Sequence, residues 1–198
     1  PAELTEINRH NQMIDDYMAS SQMTRVLDRR TLNIAPVTQA NGSYCGPACA
    51  YMAANYLGLR DRNGNPFTQS TIAPIIGYTG SATYSGDIAR GMNNLLGRTV
   101  YELTNVKNSD LVSSLAYGIN HDFPMFINVL TLPNYSTPTS GHFILGVGYS
   151  IYTQGSVTYS NVVYNDPRIG YGNQYTITGE QMVAASLSNV GNFVRAVP

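Results

Sequence analysis

The sequence predicts an α+β fold in which helices pack on a mainly antiparallel sheet. Two observations lead to this prediction. Helical patterns gather early in the chain, and strand patterns gather later, joined by short turns as in a meander. This order of elements is typical of a largely antiparallel sheet packed against a helix layer.

The earliest helical pattern covers residues 3–30. Apolar residues recur there at a loose helical period: Ile7, Ile14, Tyr17, Met18, Val26 and Leu27. Because this apolar face is thin, we expect residues 1–34 to form a helical arm laid on a main domain that spans 35–198. The arm is either an ordinary packing helix or a pro-segment that covers a cleft.

The main domain begins with an extended segment, Thr31 to Tyr44, which contains the turn pair Asn41-Gly42. A helix is predicted from about Gly46 to Leu57. Pro47 suits its first position, where a missing N–H costs nothing, and Gly58 suits its end.

The later elements are predicted from apolar runs, β-branched residues and helix caps. In chain order they are short helices at 68–76 and 86–96, a strand at 99–104 and a helix capped by Asp110. Strands follow at 124–130, 141–152, 156–165 and 174–178. A helix that begins at Thr178 or Gly179 and a strand at 192–197 come last.

The composition excludes several classes of partner. The 198-residue chain has a formal net charge of -1 and 12% charged residues, about half the usual share of roughly 25%. Nucleic acid and anionic membranes need clustered basic residues, and Lys107 is the only lysine. No run reaches the ~18 apolar residues of a membrane span.

The polar surface consists of Ser, Thr, Asn, Gln and Tyr rather than Lys and Glu, which indicates a secreted or exported protein. The first residues, PAELTEINRHNQ, do not resemble a signal peptide. The composition gives no indication of the oligomeric state.

The two cysteines lie in the stretch SYCGPACAYM. Cys45 stands where a loop becomes a helix, and the N–H groups and dipole of a helix start favour a thiolate there. Cys49 lies one turn further on the apolar face, where we expect an inert core thiol. A disulfide between them has poor geometry at this spacing, so both are expected to be free. The alternative for Cys45 is also a buried packing thiol.

A thiol nucleophile needs a base, and His142 has the best context of the three histidines. It begins the apolar run GHFILGVGY, so its side chain can face a cleft while its neighbours enter the core. The alternative is a hydrogen-bonded histidine in the core or at a sheet edge. His10, in the polar arm, and His121, in a turn, are expected to be exposed.

Two further residues complete a candidate site. Asp166 ends the strand pattern NVVYN and can accept the imidazole N–H; the alternative is a simple Asp-Pro turn. Gln39 lies six residues before Cys45, and its amide can donate to an oxyanion together with the Cys45 N–H. A lone Gln is otherwise a surface residue. The order Gln, Cys, His, Asp is the stronger signal.

These motifs resemble a known family. Q-x5-C-G-P-A before a helix, then GHFILGVGY and VVYNDP, are similar to papain-like peptidases typified by the double-glycine leader peptidases of bacteriocin exporters. The resemblance covers roughly residues 35–185. It implies a papain-like fold with the nucleophile on a central helix, and a peptide or protein substrate cleaved through a thioester.

The resemblance also implies the roles of the four residues. Cys45 would be the nucleophile, His142 the base, Asp166 its orienter and Gln39 the oxyanion donor. Because the exporters fuse this domain to a transporter, we expect a free-standing bacterial relative. The Gly- and Ser-rich loops at 78–86 and 138–141 are expected to line the cleft.

Three alternatives remain open. Phytochelatin-synthase-like and transglutaminase-like proteins have a similar Cys, His, Asp order and transfer the acyl group to another acceptor. A non-catalytic binding module on the same fold is the third. The sequence implies neither a metal nor an organic cofactor, because the histidines are scattered and no Cys/His spacing fits zinc.

Overall fold

A computed structural model describes Met13 and residues 24–198 of the chain. Residues 24–198 contain seven strands and five helices. They are β1 (Thr24–Thr31), α1 (Cys45–Tyr56), α2 (Gln69–Ile72), α3 (Ser85–Leu96), β2 (Tyr101–Asn105), α4 (Leu111–Asn120), β3 (Met125–Val129), β4 (His142–Gln154), β5 (Val157–Asp166), β6 (Asn173–Thr178), α5 (Gly179–Leu187) and β7 (Asn192–Ala196).

All seven strands belong to one antiparallel sheet. Six of them follow the order β2-β7-β3-β4-β5-β6. The long strand β4 has two partners along one edge: β3 pairs with its first part, from His142, and β1 pairs with its second part, from Gly148 to Gln154. The predicted α+β class with a mainly antiparallel sheet is confirmed.

Helix α1 is the central helix and packs on β4. It is buried on nearly all sides, and most of its buried residues are small, among them Gly46, Ala48, Ala50, Ala53 and Ala54. A helix that is apolar around its whole circumference belongs in a core, and small side chains let it approach the sheet closely.

The helix ends follow local rules. Asp110 accepts a hydrogen bond from the Ser113 N–H, and Thr178 forms a capping box with Gln181. Gly58, with φ +69°, ends α1. The predicted ends of these helices are confirmed, whereas α2 is shorter than the predicted helix at 68–76.

Two sequence predictions are wrong. Helix α1 begins at Cys45, so Pro47 is its third residue rather than its first; its missing N–H still belongs to the first turn, where N–H groups lack helical acceptors. Residues 24–30 form strand β1 instead of a helix, because the exposed edge of β4 supplies a hydrogen-bonding partner that outweighs a loose helical period.

The structure describes only part of the predicted helical arm. Residues 3–23, including His10, lie outside the described residues except for Met13, which is helical and exposed. After β1, Leu32 and Ile34 are buried in the main core. The division of the chain between residues 34 and 35 stays a prediction.

Candidate active site

Cys45 is the first residue of α1, after a turn that aims the chain into the helix. The Asn41 carbonyl accepts the Tyr44 N–H at 3.2 Å, and the Asn41 side chain accepts the Ser43 N–H at 3.0 Å. This Asx-type turn is what the Asn41-Gly42 pair predicts. The Cys45 side chain is half-buried, so the thiol lies next to the N–H groups of a helix start and is still accessible.

Cys49 connects α1 to the strand that carries the candidate base. Its thiol donates to the Phe143 carbonyl at 3.4 Å, directly after His142. Cys49 is fully buried, and burial, followed by the charges of Cys45 and Asp166, raises its pKa well above the ordinary value. The prediction of a buried core thiol is confirmed. Because Cys45 lies one turn before Cys49 on the same helix face, this contact brings Cys45 towards His142.

His142 and Asp166 meet at one end of two paired strands. His142 begins β4 and Asp166 ends the antiparallel neighbour β5, so the two residues lie at the same end of this strand pair. The His142 Nε2 donates to the Asp166 Oδ1 at 2.8 Å, and both side chains are buried. With Nε2 engaged, Nδ1 is the nitrogen that remains to interact with the Cys45 thiol, whose pKa His142 lowers.

The electrostatics of this trio favour an ion pair. Burial of the Cys45 thiol favours its neutral form, but the hydrogen bond and charge of His142 and the N–H groups of Phe143 and Gly46 outweigh it and lower the pKa of Cys45. Burial likewise opposes the charging of His142, yet hydrogen bonds and charges from Asp166 and Cys45 raise its pKa to about 8. Both shifts favour thiolate and imidazolium.

Gln39 lies in the same cleft and is almost fully buried. Its backbone N–H donates to the Pro167 carbonyl at 2.7 Å, which joins its loop to the end of β5. Its Nε2 donates to the Asn41 carbonyl at 2.7 Å and carries a second hydrogen. Cys45, as the first residue of α1, has no helical acceptor for its own N–H.

The strand end that carries Asp166 is held by its buried neighbour Asn165. The Asn165 amide donates to the Ile34 carbonyl at 2.8 Å and accepts from the Gln174 side chain at 3.0 Å. Asn165 has no exposed surface, and its Nδ2 also donates to the Met52 Sδ at 3.7 Å, so each of its polar atoms has a partner. This network fixes the end of β5 against the segment that precedes α1.

Two residues that the sequence analysis did not identify also contact Asp166. Tyr135, in the loop between β3 and β4, donates its hydroxyl to the Asp166 Oδ2 at 2.8 Å. The Arg168 backbone N–H donates to the Asp166 Oδ1 at 2.9 Å. Arg168 was detectable as part of the turn after Asp166, whereas nothing in the polar loop sequence indicated Tyr135.

Cys45 and His142 lie in a cleft of about 810 Å³. Residues 81–86 and 139–141 line it, so the prediction for the two Gly- and Ser-rich loops is confirmed over these residues. Most lining side chains are hydroxyls and amides, and Arg168 is the one basic side chain other than His142 among them. The cleft is large enough for several residues of an extended peptide.

The remaining sequence candidates lie elsewhere. His121 follows α4, is exposed, and contacts the Tyr117 carbonyl, as predicted for a turn. Among the described residues, no three His, Cys, Asp or Glu side chains cluster as metal ligands. No helix in the described part of the chain is long and apolar enough to cross a bilayer.

Comparison with protein families gives the class of this protein. The model of the Peptidase_C39 like family matches residues 31–191, which include Cys45, His142 and Asp166. The chain belongs to this family, and membership implies a peptidase with a peptide substrate. A comparison with curated proteins finds no match.

Proposed function

We propose that this protein is a cysteine peptidase in which Cys45, His142 and Asp166 form a catalytic triad. One observation carries the proposal: His142 lies between a thiol with a lowered pKa and a buried carboxylate, at the base of an open cleft. Membership in the family supports the same class of reaction. Cleavage after a double glycine is one specificity to test.

The reaction follows from the arrangement of the three groups. The Cys45 thiolate attacks the peptide carbonyl carbon and forms a C–S bond, and the carbonyl oxygen becomes an oxyanion. The imidazolium of His142 gives its proton to the amine, the C–N bond breaks, and a thioester remains. Neutral His142 then takes a proton from water, the new hydroxyl displaces the sulfur, and the carboxylic product leaves.

Asp166 and Gln39 support these steps. The Asp166 carboxylate holds the imidazole ring and stabilises its charge. The Cys45 N–H and the second hydrogen of the Gln39 Nε2 are the donors for the oxyanion. Each such donor contributes about 3 kcal/mol to stabilising the transition state.

The first test is the alkylation rate of each cysteine against pH, measured by peptide mass spectrometry with iodoacetamide. We expect Cys45 to react well below pH 9, while Cys49 stays unreactive as the internal control, because its thiol is buried with a raised pKa. His142→Ala removes the partner of the thiolate, so the rate at neutral pH should fall by about tenfold or more.

Turnover is tested with a peptide library in ¹⁸O-labelled water. Hydrolysis places the label in a new carboxyl group, and Cys45→Ala should abolish it. An amine or thiol adduct in place of the label would indicate acyl transfer. Binding without any reaction, unchanged by Cys45→Ala, would indicate a binding module, and a Cys45 that reacts like an ordinary thiol would refute the triad.

A further inference from the structure

The side chain of Tyr135, in the loop of residues 130–141 between β3 and β4, contacts the candidate triad. Tyr135 donates its hydroxyl to the Asp166 Oδ2 at 2.8 Å, and its ring centroid lies 6.1 Å from that of His142. The loop backbone is closed by the Thr139 N–H, which donates to the Leu130 carbonyl at 2.6 Å. Tyr135 therefore projects from a closed loop onto the acidic member of the trio.

Tyr135 is held in place by Arg168. The guanidinium carbon lies 4.3 Å from the centroid of the Tyr135 ring and 4.9 Å from that of Tyr171. The Arg168 Nη1 also donates to the Thr137 carbonyl at 3.2 Å. A guanidinium that contacts two aromatic rings and one carbonyl has little rotational freedom, so it fixes the ring that reaches Asp166.

The two oxygens of Asp166 have different partners. The Oδ1 accepts from His142 and from the Arg168 backbone N–H, whereas among the described residues the Oδ2 accepts from the Tyr135 hydroxyl alone. Asp166 has no exposed surface, so bulk water does not supply a replacement donor. A buried carboxylate oxygen without a donor is energetically costly and leaves the carboxyl group free to rotate.

We propose that Tyr135 is a positioning residue of the triad, which holds the Asp166 carboxylate in the orientation that directs His142 towards Cys45. Arg168 acts with it by holding the Tyr135 ring. This inference rests on the proposed function, because it concerns how the same site is assembled.

The hydroxyl remains a donor over the working pH range. Burial and then the charge and hydrogen bond of Asp166 raise the pKa of Tyr135, so the phenol stays protonated. The ionisable groups that face Asp166 are His142, Tyr135, Arg168, Tyr164, Tyr171 and Cys49. Of these groups, only Tyr135 contacts the Oδ2.

The test compares Tyr135→Phe with Tyr171→Phe. Both changes remove one hydroxyl from a ring beside Arg168 and keep the ring itself, but Tyr171 bonds Ser136 rather than Asp166. Each variant is compared with the native chain by the pH profile of Cys45 alkylation and by kcat/KM on a peptide that the native protein cleaves.

We expect Tyr135→Phe to lower kcat/KM by about tenfold and to shift the His142 inflection in the pH profile upward by about one pH unit, since a hydrogen bond to a charged group has this magnitude. Without its other donor, the carboxylate accepts more strongly from His142. Tyr171→Phe should leave the profile unchanged. Loss of folding stability alone would change the amplitude and not the inflection.

Arg168→Lys is the second variant, which keeps the charge and the backbone N–H but loses the flat guanidinium. It should produce a smaller change in the same direction, and it tests the proposal if Tyr135→Phe fails to fold. An unchanged profile in Tyr135→Phe, or an equal shift in Tyr171→Phe, would overturn the role of Tyr135 while the triad stands. If native Cys45 reacts like an ordinary thiol, the proposed function fails, and this inference with it.

Discussion

Replacement of Gly46 by Ala tests how closely the nucleophile is packed against the cleft wall. Gly46 follows Cys45 in α1, and its N–H is one of the groups that lower the pKa of the thiol. A Cβ added at Gly46 would lie 2.7 Å from both the Cβ and the Oγ1 of Thr83. Thr83 is β-branched and lines the cleft, so it cannot rotate both atoms away.

The magnitude follows from this distance. An ordinary van der Waals contact begins near 3.4 Å, so the wall or the helix start must move by about 0.7 Å. Overpacking of this kind costs about 1–3 kcal/mol, partly offset because Ala is a better helix former than Gly by up to about 1 kcal/mol. With the full offset the net loss is about 0–2 kcal/mol, so for a chain of this size the melting temperature should fall by no more than about 8 °C.

The effect on the reaction should be at least as large in free energy as the effect on stability, since a hundredfold loss of rate corresponds to about 2.7 kcal/mol. A displacement approaching 1 Å at a catalytic group can cost about a hundredfold in rate. We therefore expect Gly46→Ala to lower kcat/KM by about a hundredfold and to slow the alkylation of Cys45 at neutral pH. Both are measured alongside a thermal melt of the same sample.

The matched control is Gly86→Ala. A Cβ at Gly86 meets one side-chain atom of Leu103, at 4.0 Å, so the helix should tolerate it and the alkylation rate of Cys45 should not change. Thr83→Ala added to Gly46→Ala removes two of the three close contacts and should restore part of the rate. Native alkylation kinetics in Gly46→Ala would refute the reasoning.

Two further predictions concern charge. Because the pKa of His142 is raised to about 8, kcat/KM should fall as the pH rises through about 8. At that pH the imidazolium loses the proton that it gives to the leaving amine. A pH–rate profile that stays flat to about pH 9.5 would contradict the assignment of His142. Asn165→Asp places a carboxylate in a fully buried position beside Asp166 and removes the donor to Ile34, so urea unfolding should show a loss of about 3 kcal/mol. Asn161→Asp, half-buried in the same strand, is the control and should cost less than about 1 kcal/mol.

Local chemistry explains which parts of the fold the sequence predicts. The start of α1 is encoded within a few residues, by the turn at Asn41-Gly42 and the small residues that follow, and was predicted to within one residue of Cys45. The long apolar strand that begins at His142 was predicted in the same way. In each case the residue types within the segment itself carry the signal.

The parts that the sequence did not predict depend on distant partners. Strand β1 forms because residues 148–154 of β4 offer an edge, and no pattern within 24–31 indicates that edge. Tyr135 lies in a loop of polar residues without periodicity, and its contact with Asp166 spans 31 residues. Such contacts are set by the folded arrangement of strands, so a single sequence carries no local signal for them.

The pairing of β1 with β4 has a consequence for where the chain can be shortened. Asp28 accepts a hydrogen bond from the buried Tyr149 hydroxyl at 2.7 Å, and the Arg30 carbonyl approaches so closely that a Cβ at Gly148 would lie 2.9 Å from it. A fragment that begins at residue 31, where the family match begins, would therefore lose the pairing of β1 with β4. The outer half of β4 would then present unpaired N–H and C=O groups, which is the kind of bare edge along which separate molecules associate and aggregate.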